Sequence, residues 1–430
     1  MQVLHLTAHL GGGVGKALSG LVAQANRAGN SSNVNHCIVC LEMPVKDQFI
    51  ENVRAHGGRV IVCPDPPILE KLLVEADIVQ LEWWNHPATI KTLCSLSDTI
   101  MRLITWSHIS GLYNPIIPRR LIQASQVFLF TSECSYENPF VQEILHECGE
   151  RVGVISSSGG FSELPQIYRQ PTEKLSVGYI GSLNFAKLHP KYIDYLVAVE
   201  LSDFRVRLIG DITNEEILKG QAERLGKRDL LEFRGYTAQV ATELAGINVL
   251  AYLLNPEHYG TAENALLEAM AMEIVPVVLD NPAERQIVSD HQTGLIVGSP
   301  HEFAEAILWL FSHPDERQRL GKQAAQSVRE RFCVEKMETA FNARYKSMLS
   351  HEKKRVNFNN IFGENPAEWF LSCQGNKSIF SASGKISPIS GISGHYGLFE
   401  KNKGTVFQFS EYFPDSKELR LWAENLKSLQ

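Results

Sequence analysis

The sequence lacks several features that would have settled its class at once. It has no apolar run of the ~18–20 residues needed to span a bilayer. It has no basic surplus: 41 Lys and Arg stand against 48 Asp and Glu, a net charge of −7. A protein that coats nucleic acid neutralises phosphates with excess cations, so that role is excluded as a working reading. Cysteine is sparse, 8 in 430 residues, too few for a disulfide framework. Cys37 and Cys40 form one CxxC, but inside the strand-like HCIVCLE and with no second pair. Positions three apart on a strand face opposite ways, so packed apolar thiols are expected there, not zinc or redox chemistry. The opening MQVLHLTAHLGGG has neither the basic segment nor the apolar stretch of a secretory signal, and a cytoplasmic protein is expected. What is present is an ordinary globular mixture, 44% hydrophobic and 21% charged. The length predicts two or three domains.

Short apolar runs alternate with helix-like stretches along most of the chain. VLHL, CIVCLE, RVIVC, DIVQLE, RLITWSH, VFLFTS and VGVISS form one series up to about residue 165. SVGYIGS, FRVRLIG, LLEFRG, NVLAYLL, VPVVLD and GLIVGS form a second. Runs without polar alternation read as strands buried on both faces, and strands alternating with helices read as parallel doubly wound sheets. Two Rossmann-like α/β halves are therefore predicted, residues 1–165 and 166–345, joined near FSELPQIYRQPTEK (161–174). Open α/β sheets bind ligands beyond the carboxyl ends of their strands, so the cleft between two such halves is the expected substrate site. Residues 346–430 form an extension. Its SASGKISPISGISGH (381–395) reads as a loop, yet it also carries Trp369, Phe370, Phe380, Tyr396, Phe399, Phe407, Phe409, Tyr412, Phe413 and Trp422. So aromatic a segment should dock on the body or on a partner.

Candidate site residues fall at strand ends. Gly11, Gly12, Gly13 and Gly15 follow the first strand and precede a helix, a turn that lets backbone N–H groups approach an anion. It is not a Walker A loop, because Leu10 stands where Gly is required and Ala17 follows Lys16. It is not a dinucleotide fingerprint either, because Lys16 takes the place of the third Gly. Trp106-Ser107-His108 ends a strand, and His108 can hydrogen-bond a hydroxylated ligand. Glu82, Trp83 and Trp84 end another and could line an acceptor side. In EHYGTAENALLEAMAMEIVPVVLDNPAE (257–284), Thr261 reads as the N-cap of a helix whose positive end suits a diphosphate. Glu268 shares a face of that helix with Asn264 and Met272, where a carboxylate can accept hydrogen bonds from a ribose diol.

These residues resemble the retaining glycosyltransferases of the GT-B fold, family 4 (glycosyl transferases group 1). That family carries a Glu, seven residues, a second Glu, then Ala-Met-Ala and a Pro-Val-Val strand. Glu268, Ala269-Met270-Ala271 and Pro276-Val277-Val278 match the later part. The resemblance implies that Glu268 binds the ribose. The first Glu falls at Gly260, with Glu257 and Glu263 close enough to substitute, and Glu273 replaces a small residue. In VGYIGSLNFAKLHP (177–190), Lys187 matches a diphosphate-binding Lys, while Ser182 stands where the family has Arg. Arg234, Gly235 and Tyr236 fall where the family passes the nucleobase. Gly12 and Gly13 match its N-terminal loop, and His108 matches a His that contacts the donor sugar. The resemblance covers about residues 1–345 and implies transfer of a hexosyl or N-acetylhexosaminyl group from a nucleoside-diphosphate sugar, most simply a UDP-sugar, to a hydroxyl acceptor on a glycan, glycolipid or polysaccharide intermediate. It implies retention of configuration, with Lys187, His108 and Glu268 carrying the site and a phosphate oxygen taking the proton. No D-x-D triplet occurs, so no metal and no cofactor beyond the donor are expected. A sugar-nucleotide epimerase and a non-catalytic sugar-nucleotide-binding protein are the alternatives. GLYNPIIPRRLI (111–122), with Arg119 and Arg120, is read as a loop packed on its own domain or as contact with the inner face of a membrane bearing a lipid-linked acceptor.

Overall fold

The apolar runs form the strands of two parallel sheets. In chain order the strands are β1 Gln2–Thr7, β2 Asn35–Cys40, β3 Arg59–Val62, β4 Ile78–Trp83, β5 Ile100–Met101, β6 Leu103–Ser107, β7 Val127–Phe130 and β8 Val152–Val154, then β9 Val177–Ile180, β10 Val206–Ile209, β11 Leu231–Gly235, β12 Val249–Tyr252, β13 Val275–Leu279, β14 Leu295–Val297 and β15 Lys354–Arg355. The first sheet has the order β3-β2-β1-β4-β6-β7-β8 and the second β11-β10-β9-β12-β13-β14. Every pairing within both is parallel. Each order reverses beside the first strand of its half, between β1 and β4 and between β9 and β12. Ligands of doubly wound sheets gather beyond the carboxyl ends of the strands at such switch points.

In this computed structural model every residue is described except 28, 30–32, 97–98, 162, 173, 238, 376–378, 382–384, 388–395, 402–403 and 430, and the side chains of Cys148 and Tyr396. Most of the loop read at 381–395 thus lies outside the described residues. The chain forms two compact units. One holds Met1–Gly160, Tyr259–Ala262 and Phe332–Gln430, and the other Phe161–His258 and Glu263–Arg331. No helix among the described residues is long and apolar enough to cross a membrane.

The first unit buries its sheet on both faces, as uninterrupted apolar strands require. Val3, Leu4, Ile38, Val39, Ile78, Leu81, Ile104, Phe128 and Leu129 are all but fully buried. Cys37 and Cys40 lie in β2 as buried free thiols. Burial pushes the Cys40 thiol up to about 12, so it packs as a neutral group. Helix Gly12–Ala25 follows β1 directly. Gly12 has φ +56°, a conformation glycine adopts without a side-chain penalty.

The C-terminal residues close this unit. Helix Val334–Met348 lays Phe341 and Tyr345 on the sheet, with the Phe341 ring 4.8 Å from Trp106. β15 pairs antiparallel with β5. Beyond it, Phe370 gathers Phe380, Phe409 and Trp422 at centroid distances of 5.0, 5.3 and 5.8 Å. Phe362 stacks on Trp83 at 5.3 Å. Asn85 donates to the Gly404 carbonyl at 2.9 Å. The aromatic extension therefore docks on the first unit of its own chain. It also meets the 111–122 segment, where the Ile116 N–H donates to the Cys373 carbonyl and Arg120 to the Asn360 carbonyl. Arg119 pairs with Glu143 at 2.8 Å, and Ile117, Leu121 and Ile122 are buried.

Candidate functional site

In the second unit, β9 runs into a turn that ends at Lys187. Gly181 and Gly210 meet at the ends of adjacent strands. A Cβ on Gly210 would sit 1.9 Å from the Gly181 carbonyl oxygen, so only glycine permits the approach. The Ser182 hydroxyl donates to Asp211 Oδ2 at 2.6 Å, and the Leu183 N–H donates to the same oxygen. Burial alone would raise the Asp211 carboxyl, but these hydrogen bonds and those of Thr213 hold it below its ordinary range. Ser182 is thus spent on fixing the turn. The Asn184 carbonyl accepts from the N–H groups of Lys187 and Leu188. Asn255 N–H donates to the Lys187 carbonyl at 2.7 Å, and the Asn255 side chain to the Phe185 carbonyl at 2.8 Å. Backbone pairing with the segment after β12 therefore positions Lys187.

The Lys187 ammonium lies 2.9 Å from Glu263 Oε2, which also accepts from the Tyr252 hydroxyl at 2.5 Å. Glu263 precedes helix Asn264–Ala271 with φ +39° and ψ +56°, a left-handed conformation unusual for a non-glycine residue. Its side chain is 1% exposed, while that of Lys187 is 28% exposed. Glu263 Oε1 lies 3.8 Å from His258 Nδ1 and has no hydrogen-bond donor among the described residues. His258 Nε2 is 3.1 Å from Glu284 Oε2, and both residues are buried. Lys187, His258 and two carboxylates thus form one cluster, buried except at the lysine.

Opposed effects set the charges of that cluster. Burial alone would raise the Glu263 carboxyl, yet the charges of Lys187 and His258 with the Tyr252 and Lys187 hydrogen bonds hold it below its ordinary value. For His258, burial favours the neutral ring, but Glu284 and then Glu263 override this and leave it above its ordinary value of 6.5. A raised imidazole stabilises the fold fully below about 6.5, and that contribution fades as pH rises through the higher folded value. The thermal midpoint of the wild type is therefore expected to fall between pH 6 and pH 9. A His258→Gln variant should lose that slope, and an equal slope in both would refute the assignment.

The helix begins at Asn264, so Thr261 is not its N-cap as the sequence suggested. The left-handed turn at Glu263 moves the cap and the helix start two residues along. Tyr259–Ala262, Gly260 included, belong to the first unit. There the Tyr259 carbonyl accepts from the Ser110 N–H, and the Thr131 hydroxyl donates to that of Thr261 at 2.6 Å. Glu268 is half-buried on the helix, one turn after Asn264. Glu257 is exposed, so of the two carboxylates near the Gly260 position only Glu263 joins the lysine. Arg234 and Tyr236 are exposed at the end of β11 and beyond Gly235, with Arg234 paired to Glu243 and Glu232 at 3.3 Å. Glu273 has φ +58° and accepts from the Arg169 N–H.

In the first unit the exposed Gly12 and Gly13 form the first turn of the helix after β1. His108 follows β6. Its N–H donates to the Trp83 carbonyl at 2.9 Å, and its Nε2 lies 2.8 Å from Glu82 Oε2. Glu82 and Trp83 are fully buried and Trp84 is 8% exposed, so they do not line an acceptor surface as the sequence suggested. The strand is covered on both faces through its last residue, as its uninterrupted apolar run implied. Glu82 instead takes a second imidazole, His5 Nδ1, at 2.9 Å from Oε1.

Sequence reasoning missed His258, Glu284, Tyr252, His5 and Glu82 as members of these clusters. A signal existed for some: His5, Gln80 and Glu82 are polar residues inside otherwise apolar strands, where an unpaired polar group is costly. His258 and Glu284 are 26 residues apart and give no local signal.

Two parallel, doubly wound α/β units give the chain a fold of the GT-B class. Residues 161–327 match the family model "Glycosyl transferases group 1". A stretch of 184 residues is 26% identical to the Bacillus subtilis (strain 168) protein named "Putative glycosyltransferase EpsD", covering 41% of this chain. The match spans 47% of that relative, so the chain covers about half the length of the curated protein it matches. Among solved structures, the fold is similar to a glycosyltransferase from Rickettsia africae ESF-5, with a TM-score of 0.61 and 15% identity over 82% of this chain and 99% of that one. It is also similar to Anabaena Alr3699/HepE in complex with UDP-glucose, with a TM-score of 0.62 and 16% identity over 81% of this chain and all of that one (100%).

Proposed function

We propose that this protein is a glycosyltransferase that moves a hexosyl or N-acetylhexosaminyl group from a UDP-sugar to a hydroxyl acceptor, with retention of configuration and without a metal. One observation carries the reading: Lys187, partly exposed on the turn after β9, within a segment that matches the glycosyl transferases group 1 model. The UDP-glucose complex of the Anabaena protein supports the choice of donor. In the reaction the bond from the sugar's anomeric carbon to the diphosphate oxygen breaks, and a bond from that carbon to the acceptor oxygen forms. The acceptor's proton passes to a phosphate oxygen of the departing UDP. Negative charge grows on the diphosphate as it leaves, and Lys187 is the cation we assign to it. Glu268 is assigned to the ribose hydroxyls. Gly12 and Gly13 would offer backbone N–H groups, and His108 a polar contact to the sugar. Arg234, Gly235 and Tyr236 are assigned to the base side, Gly260, Thr261 and Asn264 to the rim of the donor site, and Ser182 and Glu263 to holding the turn and the lysine behind it.

Incubation with a panel of sugar nucleotides and candidate hydroxyl acceptors tests this. UDP release that requires an acceptor is the expected outcome, without loss on chelation of divalent metals. Consumption of donor with no acceptor would point to epimerisation, and binding without turnover to a non-catalytic protein. NMR of the product anomer decides retention.

A further inference from the structure

A polar stripe crosses the first unit's sheet beneath helix Val334–Met348. His36 pairs in register with Val3, so His5, two residues on, lies on the same face as His36. Gln80 pairs with His5, and Glu82 is two residues beyond Gln80. Glu82 pairs with Trp106, and His108 is two residues beyond Trp106. The side chains connect across four adjacent strands. His36 Nδ1 is 2.9 Å from His5 Nε2, His5 Nδ1 is 2.9 Å from Glu82 Oε1, and Glu82 Oε2 is 2.8 Å from His108 Nε2. Gln80 Nε2 also donates to Glu82 Oε1, and Tyr345 donates to Gln80 Oε1 at 2.6 Å. Glu82 and the His5 side chain are wholly buried, while that of His108 is 8% exposed.

Donor and acceptor chemistry then places the protons that face the carboxylate. An ionised carboxylate only accepts, so both nitrogens facing Glu82 carry hydrogen: His5 Nδ1 and His108 Nε2. With that single proton, His5 offers a bare Nε2 to the hydrogen of His36 Nδ1. His36 Nε2 is buried with no partner among the described residues, as expected of a nitrogen without a proton. With a single ring proton, placed on Nε2 by Glu82, His108 keeps Nδ1 as a lone-pair acceptor, and that nitrogen makes no hydrogen bond to any described residue. The edges of Trp106 and Trp84, with ring centroids at 4.6 and 6.2 Å, flank the imidazole.

We propose that Glu82 is a positioning residue that holds His108 with Nε2 protonated and Nδ1 bare, so that His108 accepts a hydrogen bond from a ligand hydroxyl and does not donate one. For a sugar substrate this means recognition of a hydroxyl through its hydrogen, and that part rests on the glycosyl-transfer reading above. His5 and His36 back the carboxylate from the other side. Glu82→Gln reverses the arrangement without changing size, because the new amide can present an N–H to His108 and demand the opposite tautomer.

The test uses full-length protein with 15N-labelled histidine, the His108 resonances being assigned by their loss in His108→Ala. Wild-type His108 should show protonated Nε2 and unprotonated Nδ1, and Glu82→Gln should shift it toward the Nδ1–H form. In transfer assays Glu82→Gln should lower turnover about tenfold or more, while UDP affinity stays unchanged. The double variant with His108→Ala should be no slower than His108→Ala alone. A wild-type His108 with Nδ1 protonated overturns the proposal even if Glu82→Gln fails to fold. So does a double variant in which the two losses multiply. If the wild type transfers no sugar from any nucleotide, the functional reading fails, but the tautomer measurement still decides the role of Glu82.

Discussion

Lys187→Ala is expected to weaken UDP binding by about 10- to 100-fold, the equivalent of about 1.5–3 kcal/mol for lost charge-assisted hydrogen bonds. The ammonium is already 2.9 Å from Glu263, so a diphosphate must share or take that cation. The two residues therefore act in opposite directions. Glu263→Gln removes the competing charge and should strengthen UDP binding severalfold, whereas Lys187→Ala weakens it. Calorimetric titration of UDP into wild type and both variants reads the two signs. Equal effects of the same sign, or none, would remove Lys187 from the diphosphate site. Lys187→Ala also leaves Glu263 buried beside His258 as its remaining cation, so a lowered thermal midpoint should accompany the weaker binding.

Glu284→Ala is expected to destabilise the second unit by about 3–5 kcal/mol, because it breaks a buried ion pair and leaves one partner behind. Glu284 is fully buried, with His258 at 3.1 Å from one oxygen and the Asn281 amide 3.5 Å from the other. At roughly 2–4 °C per kcal/mol for a unit of this size, the midpoint should fall by about 6–20 °C. The loss should be largest below pH 6.5, where His258 is charged. Thermal unfolding followed by circular dichroism measures it, and a change under about 2 °C would show that the pair contributes little. His258→Leu combined with Glu284→Leu should recover part of the loss, since apolar replacement of both members removes the orphaned charge.

The fold was legible because its signal is local. Each run from VLHL to GLIVGS became a strand, since continuous Val, Ile and Leu suit a sheet covered on both faces. Gly11–Gly15 and Lys187 were visible as residues at strand ends. The helix start was misplaced at Thr261, because the turn that delays it depends on a left-handed Glu263 that no propensity favours. That conformation accompanies a carboxylate held by Lys187 and Tyr252, residues 76 and 11 positions earlier in the chain.

The sequence alone therefore determined two doubly wound sheets, the order of their elements, and the strand ends where chemistry could sit. Periodicity and turn residues act over a few positions, and those suffice. The folded chain decided the rest: that the aromatic extension packs on the first unit, that Glu82 faces two imidazoles and not solvent, and that Glu263 meets Lys187. Each of these is a buried contact between distant segments. A buried charge takes its state from whatever neighbours the fold brings to it, and no stretch of sequence around it names them.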